Sequence, residues 1–212
     1  KKHNIKIKLF NIGGGIGIKE VHFYNIFDLM FNTISRIFKK RREYNLKTFD
    51  QKKMLDEIVE YLNLKFSDRD NMPEIMMEPG RALIGNAINL NTKIVNIKKT
   101  KTGNWLIIDA GTNLLSILTL FTEFHKIQAL NSSDQTVKYS IAGPLLYSSD
   151  VIVTNIKLPK QKIGDFININ DVGAYFNSQS SHFLFARCAT VFRNIDGKFS
   201  LVERKEEMTI VL

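Results

Sequence analysis

Four short segments carry residue types from which a site can be built. The first is Gly13-Gly14-Gly15-Ile16-Gly17. Glycine lets a backbone approach an anion closely and point successive N–H groups at it, and a helix N-terminus nearby adds positive potential. A tight strand-to-helix turn accounts for the same residues. The dinucleotide fingerprint fits poorly, because Ile18 stands where its third glycine belongs. The second segment is Glu78-Pro79-Gly80-Arg81. A buried glutamate can keep a heteroaromatic nitrogen protonated, and the arginine that follows can pair with a phosphate. A purely structural Glu–Arg turn is an equal reading. The third is Gly143-Pro144-Leu145-Leu146-Tyr147-Ser148-Ser149-Asp150, and the fourth is Gly164-Asp165 followed by Asp171-Val172-Gly173-Ala174-Tyr175. Each alone reads as a β-turn.

The elements around these segments follow from hydrophobic spacing. Residues 4–12 alternate and then turn apolar, which predicts a strand leading into the glycine loop. Residues 20–38 are apolar and aromatic, with helical character after an irregular start. Over 50–64, Met54, Leu55, Ile58, Val59 and Leu62 share one helical face, with Thr48 or Asp50 as cap. Pro73 to Met77 reads as a strand, and 82–89 as a short helix. Residues 1–89 thus show the βα alternation of a parallel α/β architecture, whose sites lie at the C-terminal strand ends. Near residue 90 the period changes. The runs 92–99, 104–109, 137–142, 151–157, 166–171, 187–193 and 199–203 are short and β-rich, with turn signals between them. Residues 90–212 are therefore expected to form an antiparallel β domain, a barrel or a sandwich.

Composition narrows the class. The chain has 212 residues, 44% hydrophobic and 24% charged, enough for a core without disulfides. Its one cysteine, Cys188, excludes an internal disulfide and fits a reducing, cytoplasmic compartment and a core position. His3, His22, His125 and His182 are too scattered to suggest a metal site; His182 is the best placed for function, with a surface or packing role favoured. Nothing reaches the roughly 18 apolar residues of a membrane helix. The net charge of +9 includes the run Lys39-Lys40-Arg41-Arg42, which reads as a solvated face. No nucleic-acid-binding pattern accompanies it, so neither nucleic acid nor membrane is an expected partner.

Taken in order, NIGGGIGI (11–18), MEPGRALIGNA (77–87), IIDAGTNLL (107–115), AGPLLYSSDVI (142–152), GDFININDVGAYFNSQSSHF (164–183) and RCATVF (187–192) resemble one family. They are similar to the C-terminal part of the fold type III decarboxylases dependent on pyridoxal 5'-phosphate (PLP), the diaminopimelate and ornithine–arginine decarboxylase family. The resemblance implies the C-terminal part of a PLP-binding (β/α) barrel, of the TIM type, followed by the antiparallel β-barrel or sandwich domain. It implies that Gly13, Gly14 and Gly15 hold the cofactor phosphate, with Gly80 and Arg81 on the phosphate side of the second loop. Glu78 then matches the partner of the pyridine nitrogen, and Tyr175 a tyrosine that reaches the phosphate. Asp150 ends a segment that enters the active site of a second subunit, so Asp150 and Tyr147 are the expected catalytic contributions. Leu146 stands at the family's cysteine position, Tyr147 at an acidic position that reads the far end of diaminopimelate, and Ser149 at a glycine position. These departures point to a different or less polar amino-acid substrate, or to a damaged enzyme that lacks the thiol for the protonation step after decarboxylation.

The resemblance places the Schiff-base lysine and several barrel strands upstream of the glycine loop. The expected activity is therefore PLP-dependent amino-acid decarboxylation by the C-terminal portion or subunit of an enzyme, with a homodimer or an N-terminal partner chain supplying the lysine. The other reading is a non-catalytic homologue that binds or regulates a decarboxylase. Apolar faces within residues 1–89 are expected to lie uncovered.

Overall fold

A computed structural model describes residues 7–18, 20–23, 27, 30, 50–66, 72–101, 103–120 and 123–207. Along the chain run β1 (Leu9–Asn11), β2 (His22–Phe23), α1 (Gln51–Lys65), β3 (Glu74–Met76), α2 (Gly80–Ile84), β4 (Leu90–Thr100) and β5 (Gly103–Ile108). Then follow α3 (Ser116–Leu120), β6 (Glu123–Phe124), β7 (Ile127–Ala129), β8 (Thr136–Ala142), β9 (Val151–Pro159), β10 (Phe166–Ile169), β11 (Thr190–Arg193) and β12 (Phe199–Glu203). The basic run 39–42, the cap candidate Thr48 and most of the expected helix 20–38 lie outside the described residues.

β1 and β3 pair in parallel, with Leu9 opposite Glu74 and Asn11 opposite Met76. Parallel neighbours end on the same side, so the loops that follow them emerge together. The register carries on past the strands: Ile12 N–H donates to Met76 O at 3.0 Å, and Glu78 N–H to Gly13 O at 2.9 Å. The glycine loop and the Glu78–Arg81 loop are thereby zipped along their length.

Asp50 caps α1, its carboxylate accepting from Lys53 N–H at 3.0 Å. Lys52 and Asp56 pair across one turn on the exposed face. On the apolar stripe only Leu62 is buried, whereas Val59 is 52% exposed. Ile7, Leu9, Phe10, Met76, Leu83 and Ile84 are likewise exposed, so the apolar surface of the α/β part is largely uncovered among the described residues.

Six strands form the main sheet in the order β7-β10-β4-β5-β8-β9. Ile94, Leu106, Ile108, Ile141, Ile167 and Ile169 point into one core and are wholly buried. The edges meet through side chains: Asn131, past β7, donates to Lys160 O at 3.0 Å and accepts from Gln161 Nε2 at 2.8 Å, just past β9. A sheet so bridged is nearly closed. One expectation is corrected here: the sheet is mixed, because β5 and β8 run parallel. Between them the chain passes through α3, β6 and β7, a crossover long enough to bring it back in the same direction.

β11 and β12 form a separate antiparallel hairpin around Asp196-Gly197, with Gly197 at φ +82°. The expected strand 187–193 is shorter than its pattern suggests, beginning at Thr190. Cys188, just before it, is exposed rather than core, and Trp105 on β5 is only half-buried. β2 pairs with β6, with Phe23 opposite Glu123. That pairing joins the segment after the glycine loop to the sheet domain and sets Glu123 beside it.

Candidate anion-binding hollow

The glycine loop bends at Gly13 and Gly15, both at φ +75°, a left-handed conformation that side chains with a Cβ resist. At Gly14 a Cβ would stand 2.4 Å from Glu78 O, so the two loops touch backbone to backbone. Asn11 braces both: its Oδ1 accepts from Gly13 N–H at 2.7 Å, and its Nδ2 donates to Glu78 Oε1 at 2.6 Å. Gln51 at the start of α1 donates to Gly17 O at 3.2 Å. The N–H groups of Gly14, Gly15, Ile16 and Gly17 make no hydrogen bond to another described residue.

Opposite this loop, Arg81 is buried and forks onto Glu123, with Nη1–Oε2 at 2.9 Å and Nη2–Oε1 at 2.5 Å. Glu123 also faces His125 Nε2 at 3.0 Å, and His125 Nδ1 faces Asn170 O at 2.9 Å. The ring of Tyr175 lies over the Arg81 guanidinium at 5.4 Å. Tyr175 takes φ +73°, and its hydroxyl sits where a Cβ on Gly80 would be 2.7 Å away. Gly173 holds the loop of Tyr175 against α2: its N–H donates to Gly85 O at 3.0 Å, and Val172 N–H donates to Ile88 O at 2.9 Å.

Between the two sides lies a hollow of about 310 Å³ lined by Gly15, Ile16, Gly17, Arg81, Glu123, Tyr175 and Gln179. Of the residues singled out in the sequence, Gly15, Arg81 and Tyr175 meet there. Gly13, Gly14, Glu78 and Gly80 belong to the same two loops without lining it. Asp150 and Tyr147 are elsewhere. Asp150 is buried, and its oxygens accept from Thr112 N–H and Leu145 N–H, both at 2.8 Å. Tyr147 shares a hydrogen bond with the Thr112 hydroxyl and meets Phe183 edge-on. Leu146, just before Tyr147, stands 95% exposed at φ +61°.

Glu123, His125 and Gln179 were missed as functional residues. The signal was present only as Glu-Phe-His, a spacing of two that puts both polar side chains on one side of an extended chain. His182, the more promising histidine by position, is exposed and pairs with Glu206 at 2.7 Å. The N–H of Arg187, donating to Glu206, holds that carboxyl below the ordinary carboxylate range, and His182 adds to the effect. Among the described residues no group of three His, Cys, Asp or Glu side chains could hold a metal ion, and no helix is long and apolar enough to cross a membrane.

Asp171 enters the Tyr175 loop at φ +64° and is buried beside this cluster. Burial pushes its carboxyl above the ordinary value, the charge of Glu20 pushes the same way, and His125 and Lys126 partly oppose them. A carboxyl raised in the fold penalises folding once the unfolded chain has ionised, so the penalty is absent in acid, grows as pH rises from the ordinary value toward the raised one and is complete above it. Asp171→Asn, which tolerates the left-handed backbone, is expected to raise the melting temperature at neutral pH. The gain should shrink toward zero as pH falls below the ordinary carboxylate range. A gain that persists in acid would trace to something other than the charge.

The sequence profile of the family described as pyridoxal-dependent decarboxylase, C-terminal sheet domain, matches residues 21–173. The chain belongs to that family. It is 32% identical over 206 residues to the diaminopimelate decarboxylase of Methanocaldococcus jannaschii, covering 97% of this chain and 42% of that protein. The diaminopimelate decarboxylase of Archaeoglobus fulgidus is 33% identical over 143 residues, 66% of this chain and 34% of the relative. The crystal structure of the M. jannaschii enzyme in co-complex with L-lysine superposes with a TM-score of 0.81 at 29% identity, over 97% of this chain and 42% of that one. This chain therefore spans less than half the length of these relatives.

Proposed function

We propose that this chain is the phosphate-holding C-terminal portion of a PLP-dependent amino-acid decarboxylase of the diaminopimelate type. The observation that carries the reading is the convergence of Gly15, Arg81 and Tyr175 on one hollow, with backbone N–H groups that no described protein group accepts. A phosphate is the fitting occupant: the glycine loop, the Tyr175 side chain and Arg81, which is paired with Glu123, line one space of about 310 Å³, and at Gly15 and Gly17 a Cβ would meet no protein atom. When bound, PLP supplies an electron sink for the bond pair released as carbon dioxide leaves.

The chain's own residues supply position and charge. The N–H groups of Gly15, Ile16 and Gly17 and the Tyr175 hydroxyl would donate to the phosphate, with Arg81 behind them. Glu78, held by Asn11, would keep the pyridine nitrogen of bound PLP protonated. Gly13, Gly14 and Gly80 let these groups approach. Asp150 fixes the 143–150 loop, and with it Leu146 and Tyr147, for entry into the site of a second copy. The substrate is an α-amino acid. The division at residue 90 into barrel part and sheet domain, a homodimer or N-terminal partner chain that supplies the Schiff-base lysine, and a cytoplasmic location belong to the same proposal.

The test is titration of the chain, alone and with a lysine-bearing barrel half, with PLP followed by absorbance. Wild type is expected to bind saturably. Gly15→Ala adds a Cβ to the hollow and strains a left-handed residue, and is expected to weaken binding about tenfold or more. Absence of saturable binding in both formats ends the reading.

A further inference from the structure

The hollow has one polar side chain in its lining that the fold itself does not use. Gln179 lines it beside Tyr175. Arg81 and Glu123 are buried, whereas Gln179 is exposed, so it stands on the solvent side of the space they share. Its backbone is fixed. The Gln179 N–H donates to Tyr175 O at 3.0 Å, closing one turn that begins at the tyrosine. The Ser116 hydroxyl, at the start of α3, donates to Gln179 O at 3.2 Å. Two residues on, Ser181 N–H donates to Asn113 O at 2.9 Å and ties down the end of the segment. The side-chain amide, by contrast, makes no hydrogen bond to another described residue. Its root is held while its N–H donors are left to a ligand, which lowers the ordering cost of binding one.

Charge decides what such an amide adds. Arg81 forks onto Glu123, and Glu123 lines the hollow as well, so the positive charge of the guanidinium is matched by a carboxylate beside it. An anion entering this space gains little from net charge. It must be held by neutral donors aimed at its oxygens, as backbone N–H groups hold anions elsewhere. A phosphate monoester presents several strongly accepting oxygens, more than the glycine loop and one hydroxyl need satisfy alone. We propose that the side-chain amide of Gln179 is a phosphate-binding donor at the mouth of the hollow. The proposal rests on the reading that the hollow takes the phosphate of PLP. Gln179 Nε2 donates to an oxygen on the solvent side, and the turn shared with Tyr175 delivers the amide and the phenol together.

Pyridoxine 5'-phosphate has the ring and phosphate of PLP with an alcohol in place of the aldehyde, so lysine side chains do not react with it. Calorimetric titration of the full chain with this probe is expected to show affinity about tenfold lower for Gln179→Leu, which keeps the bulk and removes the donor. Gln179→Glu keeps the shape and sets a negative charge toward the phosphate, and should lose about thirtyfold or more. Pyridoxine, which lacks the phosphate, should bind wild type and both variants alike. Both variants should melt with wild type, because the exposed amide has no partner in the described fold. Either variant binding pyridoxine 5'-phosphate as tightly as wild type overturns the proposal. So does an equal loss of pyridoxine affinity, which would put the amide at the ring. Both results leave the phosphate reading in place. Wild type that does not bind pyridoxine 5'-phosphate removes the phosphate site itself, and the proposal falls with it.

Discussion

Arg81→Met is expected to cost about 3–5 kcal/mol of folding stability, because it strands a buried carboxylate. Glu123 is 1% exposed at its side chain and receives both terminal nitrogens of Arg81, at 2.5 and 2.9 Å. Without the guanidinium only His125 remains to it among the contacts described above. An exposed pair would contribute well under about 1 kcal/mol, so the size of the loss measures how dry this wall is. The double variant Arg81→Met with Glu123→Gln removes both charges and should recover much of the loss, since the penalty comes from the unpaired ion. Arg81→Lys is not a mild change either. One ammonium cannot occupy both prongs of the fork, nor stack as a plane under Tyr175. Urea unfolding midpoints at neutral pH check all three. If Arg81→Met shifts the midpoint no more than a surface substitution does, the burial of this pair is wrong.

Gly173→Ala is expected to lose about 2–3 kcal/mol or more and to weaken PLP binding at the same time. A Cβ at this position would lie 1.8 Å from Ile84 O, 2.9 Å from Ile84 C and 3.1 Å from Gly85 O. These atoms are backbone at the end of α2, so no flexible side chain can yield. Relief requires the Tyr175 loop to back away from α2, breaking the Gly173 N–H to Gly85 O bond of 3.0 Å. Tyr175 follows two residues later, so its hydroxyl leaves Gly80 and its ring leaves Arg81. Thermal unfolding and PLP titration should fall together. A variant that melts like wild type shows that the loop and α2 are not packed as described.

Parts of this arrangement could be read directly. The short β-rich runs 92–99, 104–109 and 137–142, set off by turn signals, announced strands that the fold contains as β4, β5 and β8. The stripe Met54–Leu62 announced α1, and of the two cap candidates, Thr48 and Asp50, it is Asp50 that caps it. These signals are local: a strand shows every second side chain to one face, and a helix every third or fourth. The direction of β8 relative to β5 carries no such mark, and the antiparallel default failed there. Exposure failed similarly. Cys188 and the stripe of α1 look like core residues by type, but burial depends on which other surface arrives to cover them.

What the sequence by itself determined is the set of loops able to meet an anion: three glycines after one strand, Glu78 to Arg81 after another, and Tyr175 in a turn. Backbone freedom and donor chemistry belong to residue types, so they survive without coordinates. Only the tertiary structure decided that Gly15, Arg81 and Tyr175 share one hollow, that Asp150 spends both oxygens on holding its own loop, and that Glu123 and His125 stand behind Arg81. Arg81 and Glu123 are 42 residues apart in the chain, and β6, which carries Glu123, is itself paired with the distant β2. A contact of that range depends on sheet register and on the course of every segment between, which no local pattern encodes.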